Sequence, residues 1–300
     1  MSEPWVTEQR NSFLLRALAR YLNETPTLIG REDVEALSSA CRVPREQAYS
    51  QLLAAALGLE TDLRPRDREL YEAYFPLMLH PLEAAAYESN AYYRNIRIPV
   101  MRRGSWRLCG KAYQPYEAFV CNDLRRLADG RVIPSIGYFH RAFSYPAVAQ
   151  DGREWMLITP NEINTMEPAV QRARGKVLTF GLGLGYFAYM AAEKPEVISV
   201  DVVERDPDVI ALFHTQILPQ FGQRQKVRVI QGDAFAYAAG PMAQERYDFV
   251  FTDLWHDPSD GVDLYLRMKR VEGRRPESEY MYWIEPTLQF YLPATASLKP

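Results

Sequence analysis

A glycine-rich turn followed by a carboxylate is the feature of this chain that most clearly indicates chemistry. Val177–Phe180 is an apolar run that leads into Gly181, Gly183 and Gly185, then a helix-forming stretch, then a second apolar run ending at Glu204. Glycine suits such a turn, because the chain reverses sharply and a ligand approaches its backbone. A carboxylate after the second strand can hold two ribose hydroxyls, so the segment predicts a site for a nucleoside cofactor.

Two further carboxylates follow the next predicted strands. VRVIQGDAF (227–235) reads as a third strand followed by Gly-Asp-Ala, where Asp233, next to Ala234, can accept a hydrogen bond from an adenine amine. YDFVFTD (247–253) is predicted to be a fourth strand that ends in Asp253. Open α/β sheets bind ligands at the carboxyl ends of their strands. The chain is therefore predicted to be α/β, with its site at that edge.

The glycine spacing disfavours a dinucleotide. The dinucleotide fingerprint is G-x-G-x-x-G, with the pyrophosphate at a helix N-terminus. Here the spacing is G-x-G-x-G, and Tyr186 stands where that fingerprint has its third glycine. A nicotinamide-dependent oxidoreductase is therefore only a minor alternative.

In these motifs the chain resembles the class I S-adenosylmethionine-dependent methyltransferases, and within them the spermidine-synthase-like branch. VLTFGLGLGY matches the glycine loop, VVERD the ribose acid, IQGDAF the adenine contact and TDLWHDP the motif after strand four. The resemblance covers residues 155–285 and implies a Rossmann-like methyltransferase sheet that binds S-adenosyl-L-methionine. It implies that the loop, with Tyr186, passes under the methionine part, Glu204 holds the ribose, Asp233 and Ala234 hold the adenine, and Asp253 faces the reaction centre.

Some positions depart from the pattern of that family. Thr179 stands where many members carry an acidic residue, two positions before the first glycine. The segment from Asp253 to Asp257 is one residue longer and bulkier than the D-S-S-D-P of aminopropyltransferases, which argues against a polyamine substrate. The stretch after Asp253 is also short for the usual remaining strands. The sheet is expected either to be truncated after strand five or to be completed by strands from elsewhere.

Methyl transfer from a sulfonium needs a nucleophile that is held close, correctly aimed and relieved of its proton. Asp253, His256 and Asp257, at or just beyond the end of strand four, are the catalytic candidates. Asp257 also suits a helix cap, and His256 also suits a structural role. In related enzymes the segment that leads into the cofactor domain lies against the methionine end of the cofactor, so the resemblance implies that Glu162, in ITPNEINTMEPAV (158–170), contacts the cofactor amine or the substrate. In the same segment Asn164 or Thr165 is expected to cap a short helix.

The chain divides by pattern into a helical N-terminal domain (1–94), a small β-rich lid or connector (95–160) and the cofactor domain (161–300). Residues 31–60 carry two helical patterns around a short break. Their charge is net acidic, whereas a DNA-reading helix needs a cationic face. A plain helical hairpin is therefore predicted there. ESEYMYWIEPTLQFYLP (277–293) is predicted to be a strand followed by a short helix, with Trp283 more a core residue than a site residue.

Bulk properties narrow the class of protein. The net charge of -3 argues against a nucleic-acid partner, and the three cysteines have no metal-ligand spacing and fit a reducing compartment. No secretory signal and no membrane span are predicted, so a cytoplasmic location is expected. The leading hypothesis is methyl transfer to a small-molecule acceptor, without a metal and with a homodimer allowed. The alternatives are aminopropyl-type transfer from decarboxylated S-adenosylmethionine, or a cofactor-binding, non-catalytic scaffold whose helical domain recruits a partner.

Overall fold

Helices dominate the first part of the chain, and strands alternate with helices in the last part. The computed structural model describes residues 4–292, of which Pro4 and Trp5 are described by their backbone alone. The helices, in chain order, are α1 (Pro4–Glu24), α2 (Arg31–Cys41), α3 (Arg45–Ala56), α4 (Pro65–Met78), α5 (Ala84–Glu88), α6 (Ala91–Asn95), α7 (Pro160–Arg172), α8 (Tyr186–Ala192), α9 (Pro207–Leu212), α10 (Ala234–Ala239), α11 (Pro258–Glu272) and α12 (Glu285–Phe290).

The strands form three sheets. In chain order they are β1 (Leu79–Leu82), β2 (Met101–Arg103), β3 (Trp106–Tyr113), β4 (Phe119–Arg126), β5 (Val132–Phe139), β6 (Phe143–Gln150), β7 (Arg153–Leu157), β8 (Gly175–Phe180), β9 (Val197–Glu204), β10 (Val227–Gln231), β11 (Phe249–Thr252) and β12 (Glu279–Tyr282). A π-helical turn (Phe213–Ile217) follows α9, and short 3-10 turns lie at Leu218–Gln220, Arg224–Lys226 and Pro241–Gln244.

Two units divide the chain, and neither is continuous in sequence. Within the described residues, 4–86 fold with 112–144, and 87–111 fold with 145–292. This division differs from the predicted boundaries at 94 and 160, because the β-rich segment between them is shared. In the first unit its strand β5 pairs with β1 on one side and with β4 on the other, whereas β2, β3, β6 and β7 form a separate four-stranded sheet.

The first unit combines α1–α4 with a three-stranded sheet of order β1-β5-β4. α2 and α3 are the two helices of the hairpin predicted for residues 31–60. The strand β1 was not predicted; it runs parallel to β5, with Leu79 opposite Ile136. Buried aliphatic and aromatic side chains of the helices and strands, among them Leu14, Tyr49 and Tyr74, make one core. Nothing predicted for the site falls in this unit.

The second unit contains a five-stranded sheet of order β10-β9-β8-β11-β12, in which every neighbouring pair is parallel. The chain runs outward from β8 through β9 to β10, then returns to the other side of β8 at β11. All residues of β11 are buried, as expected for a parallel strand covered on both faces. This order makes the sheet Rossmann-like, and its switch point lies between β8 and β11, where such sheets bind ligands. The α/β prediction is confirmed.

Two predictions about the flanks of this sheet have different outcomes. The expectation of a short helix capped by Asn164 or Thr165 was wrong, since α7 begins four or more residues earlier. Pro160 occupies its first turn, where proline is favoured, and Thr159 precedes it. Glu162 therefore lies in the first turn of α7. The strand and helix predicted within 277–293 are confirmed as β12 and α12, apart from residue 293, which lies outside the described residues. Among the residues described, no helix has both the length and the apolarity that crossing a membrane needs.

Candidate functional site

A cleft opens at the carboxyl edge of the parallel sheet, within the second unit. It is lined by residues that follow four consecutive strands of the predicted cofactor domain: Gly181 after β8, Glu204 at the end of β9, Asp233 after β10 and Asp253 after β11. Glu162 of α7 lines the same cleft. We call this space the ligand cleft.

The glycine loop, residues 181–185, brings its first three residues, Gly181 to Gly183, to the lining of the ligand cleft. Gly181 has a φ of +99°, and a side chain added there would collide with the carbonyl oxygen of Asp253. Gly183 has a φ of +50°, and a side chain there would collide with the sulfur of Met156. That sulfur also accepts a hydrogen bond from the Leu184 amide at 3.1 Å. Only glycine allows this conformation and this close approach together.

Glu204 is fixed by backbone amides at the end of β9. One carboxylate oxygen accepts from the Leu182 amide of the glycine loop at 3.2 Å, and the other from the Asp206 amide at 2.9 Å. Burial raises the pKa of this carboxyl, and the amide hydrogen bonds partly offset that rise. Because each carboxylate oxygen has a further lone pair, Glu204 can still accept from two neighbouring hydroxyls.

Asp233 caps the next helix at the same edge. Its Oδ1 accepts a hydrogen bond from the Ala236 amide at 2.9 Å, which satisfies the N-terminus of α10. The side chain is exposed and lines the ligand cleft beside Ala234 and Phe235. One carboxylate oxygen therefore has a structural role, and the other is open to a ligand.

Glu162 and Asp253, which we call the acid pair, are the two titratable groups most perturbed by the site. Burial raises the pKa of Asp253 to about 7. Burial, together with the charge of Asp253, raises the pKa of Glu162 well above its ordinary value. In the described part of the chain no amide, hydroxyl or cation contacts either carboxylate. Two neighbouring carboxylates that lack donors cannot both ionise easily, so the acid pair holds a proton near neutral pH.

Gly185 and Tyr186 were predicted to contact the cofactor, but the structure does not bring them to the lining of the ligand cleft. Gly185 is the N-cap residue of α8. The side chain of Tyr186 is fully buried, and its hydroxyl accepts a hydrogen bond from Asn90 Nδ2 at 3.0 Å. Its ring centroid lies 5.4 Å from that of Tyr92. The size of Tyr186 therefore serves packing under the loop.

His256 and Asp257, predicted as catalytic, also lie outside the lining and make structural contacts instead. His256 Nε2 is 2.9 Å from the carbonyl oxygen of Glu154, and Nδ1 is 3.2 Å from Asp257 Oδ2. Asp257 is the N-cap of α11: its Oδ1 accepts from the Ser259 amide at 2.7 Å, and Asp260 completes a capping box. The structural roles considered for both residues are the ones observed.

Sequence reasoning missed the aromatic character of the ligand cleft. Four of the chain's five tryptophans line it, and we call them the tryptophan wall: Trp106, Trp155, Trp255 and Trp283. Two come from the small antiparallel sheet (β3 and β7), and two follow strands of the parallel sheet. The scarcity of tryptophan, together with the position of Trp255 two residues after Asp253, is the signal that could have found them.

Hydrogen bonds and chain position place Trp283 and Trp255 next to the acid pair, and ring contacts connect the other two members of the tryptophan wall. Trp283 donates its indole N–H to Thr165 Oγ1 at 2.9 Å, one turn after Glu162, and its amide donates to the Thr252 carbonyl at 3.0 Å, next to Asp253. The Trp106 and Trp155 rings are perpendicular, with centroids 6.0 Å apart. Trp155 in turn lies 6.1 Å from the His256 ring, adjacent to Trp255.

Metal chemistry receives no support from the geometry of the residues described. Nowhere between residues 4 and 292 do three or more histidine, cysteine, aspartate or glutamate side chains converge in a way that could hold a metal ion.

Comparisons with known proteins give fold-level similarity alone. No family model matches the chain. No curated protein matches it either. Among solved structures it is similar to one described as a "putative O-methyltransferase" from Klebsiella pneumoniae, with 19% identity, a TM-score of 0.26, and coverage of 34% of this chain and 44% of that one. It is also similar to precorrin 8W decarboxylase from Methanobacterium thermoautotrophicum, with 17% identity, a TM-score of 0.32, and coverage of 41% and 62%. The chain thus spans less than two thirds of the length of either neighbour.

Proposed function

We propose that this protein transfers a methyl group from S-adenosyl-L-methionine to a small-molecule acceptor. The observation that carries the proposal is the convergence, in one cleft, of the glycine loop, Glu204, Asp233 and the acid pair. Each follows or flanks a different strand of a Rossmann-like sheet, at the edge where such sheets bind nucleosides. The structural neighbours are too dissimilar to contribute to this argument.

The residues of the ligand cleft fit this cofactor. Glu204 would hold the ribose hydroxyls, Asp233 the adenine amine, with Ala234 and Phe235 beside the base. Gly181 and Gly183 would lie under the methionine part, where the backbone leaves room for a ligand. Glu162 and Asp253 would lie at the reaction centre, where the acceptor meets the methyl group. When bound, the cofactor supplies a methyl group on a positively charged sulfur.

The chain's own residues have three tasks in such a transfer. The glycine loop and Glu204 fix the position of the cofactor, and fixed alignment of reacting groups is a large part of catalysis. The tryptophan wall, including the part carried by the small antiparallel sheet as a lid, excludes water from the acceptor. Asp253 takes a proton from the acceptor, a role that suits a carboxyl group with a pKa of about 7.

Aminopropyl-type transfer from decarboxylated S-adenosylmethionine is the second candidate, and one observation favours it. The acid pair would repel the carboxylate of the ordinary cofactor, whereas the decarboxylated form keeps the amine and has hydrogen in place of the carboxylate. A preference for the decarboxylated donor would therefore be measurable as tighter binding. A non-catalytic scaffold would bind the cofactor and show no turnover with any acceptor.

The test is a calorimetric titration of the purified protein with four ligands in parallel: S-adenosylmethionine, its decarboxylated form, S-adenosylhomocysteine and NAD. Binding of S-adenosylmethionine and S-adenosylhomocysteine supports methyl transfer. Preference for the decarboxylated form replaces it with the second candidate. NAD binding alone, or binding of none of the four, refutes the proposed function.

A further inference from the structure

The acid pair has a neighbourhood that its role in the proposed function does not explain. Among the described residues that line the ligand cleft, Arg205 is the single basic side chain, and it adjoins Glu204 rather than the acid pair. Apart from Gln150, Arg205 and the carboxylates, the side chains that line the cleft are apolar, among them the tryptophan wall, Leu254 and Leu264. Glu162 and Asp253 are half-buried, and desolvated carboxylates without a protein donor are costly, so their natural partner is a cation that enters the cleft from outside.

We propose that the acceptor is an amine carried on an apolar, ring-sized body, bound by the acid pair through its nitrogen and by the tryptophan wall through its body. This inference rests on the proposed function only for the transfer itself. Recognition of the amine depends on Glu162, Asp253 and the tryptophans, and it is measurable without any cofactor.

Charge balance in the transfer favours an amine over an oxygen acceptor. The amine arrives as an ammonium and gives one proton to the Asp253 carboxylate, which frees its lone pair. That lone pair forms the new nitrogen–carbon bond while the carbon–sulfur bond breaks and its electron pair returns to sulfur. The positive charge passes from sulfur to nitrogen and stays beside Glu162 and Asp253. A phenolate or carboxylate acceptor would instead approach the acid pair as an anion and leave it without a counter-charge.

The tryptophan wall also favours an amine acceptor over an oxygen acceptor. An ammonium near the face of a tryptophan ring is attracted by the ring quadrupole, most strongly where water is excluded. Trp255 and Trp283 are buried and flank Asp253 and Glu162 along the chain or through hydrogen bonds. Trp106 and Trp155 line the same cleft with perpendicular rings and add indole surface for the apolar body of the ligand.

A long polyamine fits this lining less well than a compact monoamine. The remaining carboxylates of the cleft, Glu204, Asp206 and Asp233, lie at or after the ends of β9 and β10, and we call the part of the cleft that they line the nucleoside end. A second ammonium placed elsewhere in the cleft would find no carboxylate beyond the acid pair. One cationic group with an apolar body is therefore the class of acceptor that the cleft favours.

The experiment compares three probes by calorimetry at pH 8, without cofactor: 2-phenylethylamine, its neutral analogue 2-phenylethanol, and spermidine. We expect 2-phenylethylamine to bind at least roughly tenfold more tightly than 2-phenylethanol, because only the amine can pair with buried carboxylates. Spermidine should bind more weakly than 2-phenylethylamine. Equal affinity for amine and alcohol, or tighter binding of spermidine, overturns the inference.

Single substitutions test which residues bind the amine. Glu162→Gln should weaken binding of the amine by roughly tenfold and leave the alcohol unchanged. Asp206→Asn is the matched control, since it removes a carboxylate that lines the nucleoside end while keeping the Oδ1 that caps α9. Trp155→Leu should weaken both probes, and Trp155→Phe should recover part of the loss. An equal loss in Glu162→Gln and Asp206→Asn contradicts the assignment to the acid pair. Thermal unfolding of each variant confirms that the fold is intact.

A final arm separates this inference from the proposed function. Repeating the 2-phenylethylamine titration with saturating S-adenosylhomocysteine should leave the affinity for the amine within about threefold, since the two ligands occupy different ends. Displacement of the amine would mean that the acid pair serves the cofactor itself, which overturns the acceptor site. If the amine binds and no nucleoside does, the proposed function fails while the amine site stands.

Discussion

The carboxylates at the two ends of the ligand cleft, the nucleoside end and the acid pair, have opposite hydrogen-bonding environments. At the nucleoside end Glu204 accepts hydrogen bonds from two backbone amides, one of which belongs to the glycine loop. At the other end no donor among the described residues reaches Glu162 or Asp253, and burial raises the pKa of both. The first arrangement holds a carboxylate in place by amide hydrogen bonds, which partly offset the rise in its pKa on burial. The second keeps carboxylates ready for a positive charge or a proton.

That difference indicates which ligand groups each end can take. A carboxylate already held by amides gains only further neutral donors, such as hydroxyls, without needing a counter-charge. A donor-free pair gains most from a cation, since the desolvation cost is already present in the folded protein. The glycine loop joins the two ends, because its backbone contacts Asp253 at Gly181 and Glu204 at Leu182.

The largest loss of stability and binding should come from a substitution that disturbs both the nucleoside end and the acid pair. Gly181→Ala puts a methyl group against the Asp253 carbonyl and keeps a φ of +99° that alanine rarely adopts. We expect a loss of about 1–3 kcal/mol in the free energy of unfolding from backbone strain, and loss of measurable binding of both S-adenosylmethionine and 2-phenylethylamine. Chemical denaturation and calorimetry measure these.

Gly273→Ala is the matched control for that substitution. Gly273 ends α11 with an ordinary φ of -58°, and a side chain there would meet its nearest neighbour at 3.6 Å, an ordinary contact. It should leave both affinities as in the wild type. If Gly181→Ala proves as benign as this control, the close approach at the loop does not govern either end.

The second-largest effect should separate ligand binding at the nucleoside end from ligand binding at the acid pair. Glu204→Gln places an amide nitrogen against either the Leu182 or the Asp206 amide, so a donor faces a donor, and it removes the charge that holds the hydroxyls. We expect S-adenosylmethionine binding to weaken by about 1–3 kcal/mol, with 2-phenylethylamine binding retained. Calorimetry of the two ligands on one sample measures both. Unchanged affinity for S-adenosylmethionine would remove Glu204 from the ribose site.

A pH series should reveal the acid pair without any ligand. The folded-state pKa of Asp253, about 7, lies above its ordinary value. Its contribution to stability is therefore fully present below the ordinary pKa and is lost as the pH rises toward 7. Asn resembles the protonated acid, so Asp253→Asn should stabilise the protein at pH 8 by on the order of 1–3 kcal/mol, and the gain should shrink toward pH 5.

Denaturation of wild type and variant at several pH values between 5 and 8 measures that gain. Asp233→Asn serves as the control, because Asp233 is exposed and Asn keeps the cap oxygen on α10. It should change stability by less than about 0.5 kcal/mol at every pH. A gain for Asp253→Asn that is the same at pH 5 and pH 8 would show that proton uptake is not its cause.

Local sequence patterns predicted the parts of this molecule that local physics determines. The apolar runs that became β8, β9, β10 and β11, and the glycine turn after the first of them, depend on neighbours within a few residues. By contrast, β5 pairs with β1 across more than fifty positions of sequence, and no local pattern reports which distant strand completes a sheet. The division of the β-rich segment between two units and the tryptophan wall could not be predicted for the same reason. Trp106 and Trp255 are far apart in sequence and line one cleft only in the folded chain.

The site residues show a second limit of sequence reasoning, which is that one residue type serves several purposes. Asp233 and Asp257 both follow a strand and both cap a helix, yet Asp233 lines the ligand cleft and Asp257 does not. Tyr186 occupies a position typical of a ligand contact and packs into the core. A carboxylate at a strand end can be assigned to a ligand only when the direction of its side chain is known.

The smallest effect should come from substitutions of Asp257. They test whether the amine is bound by two carboxylates, those of the acid pair, or by a third as well. As the N-cap of α11, Asp257 should lose about 1 kcal/mol of stability when changed to Ala and almost none when changed to Asn, which caps equally well. Neither variant should alter the affinity for 2-phenylethylamine, because the carboxylate lies outside the cleft and is engaged by Ser259 and His256. Denaturation and calorimetry of Asp257→Ala and Asp257→Asn measure the two effects separately. If Asp257→Asn weakens amine binding as strongly as Glu162→Gln, the charge of Asp257 belongs to the amine site and its capping role is secondary.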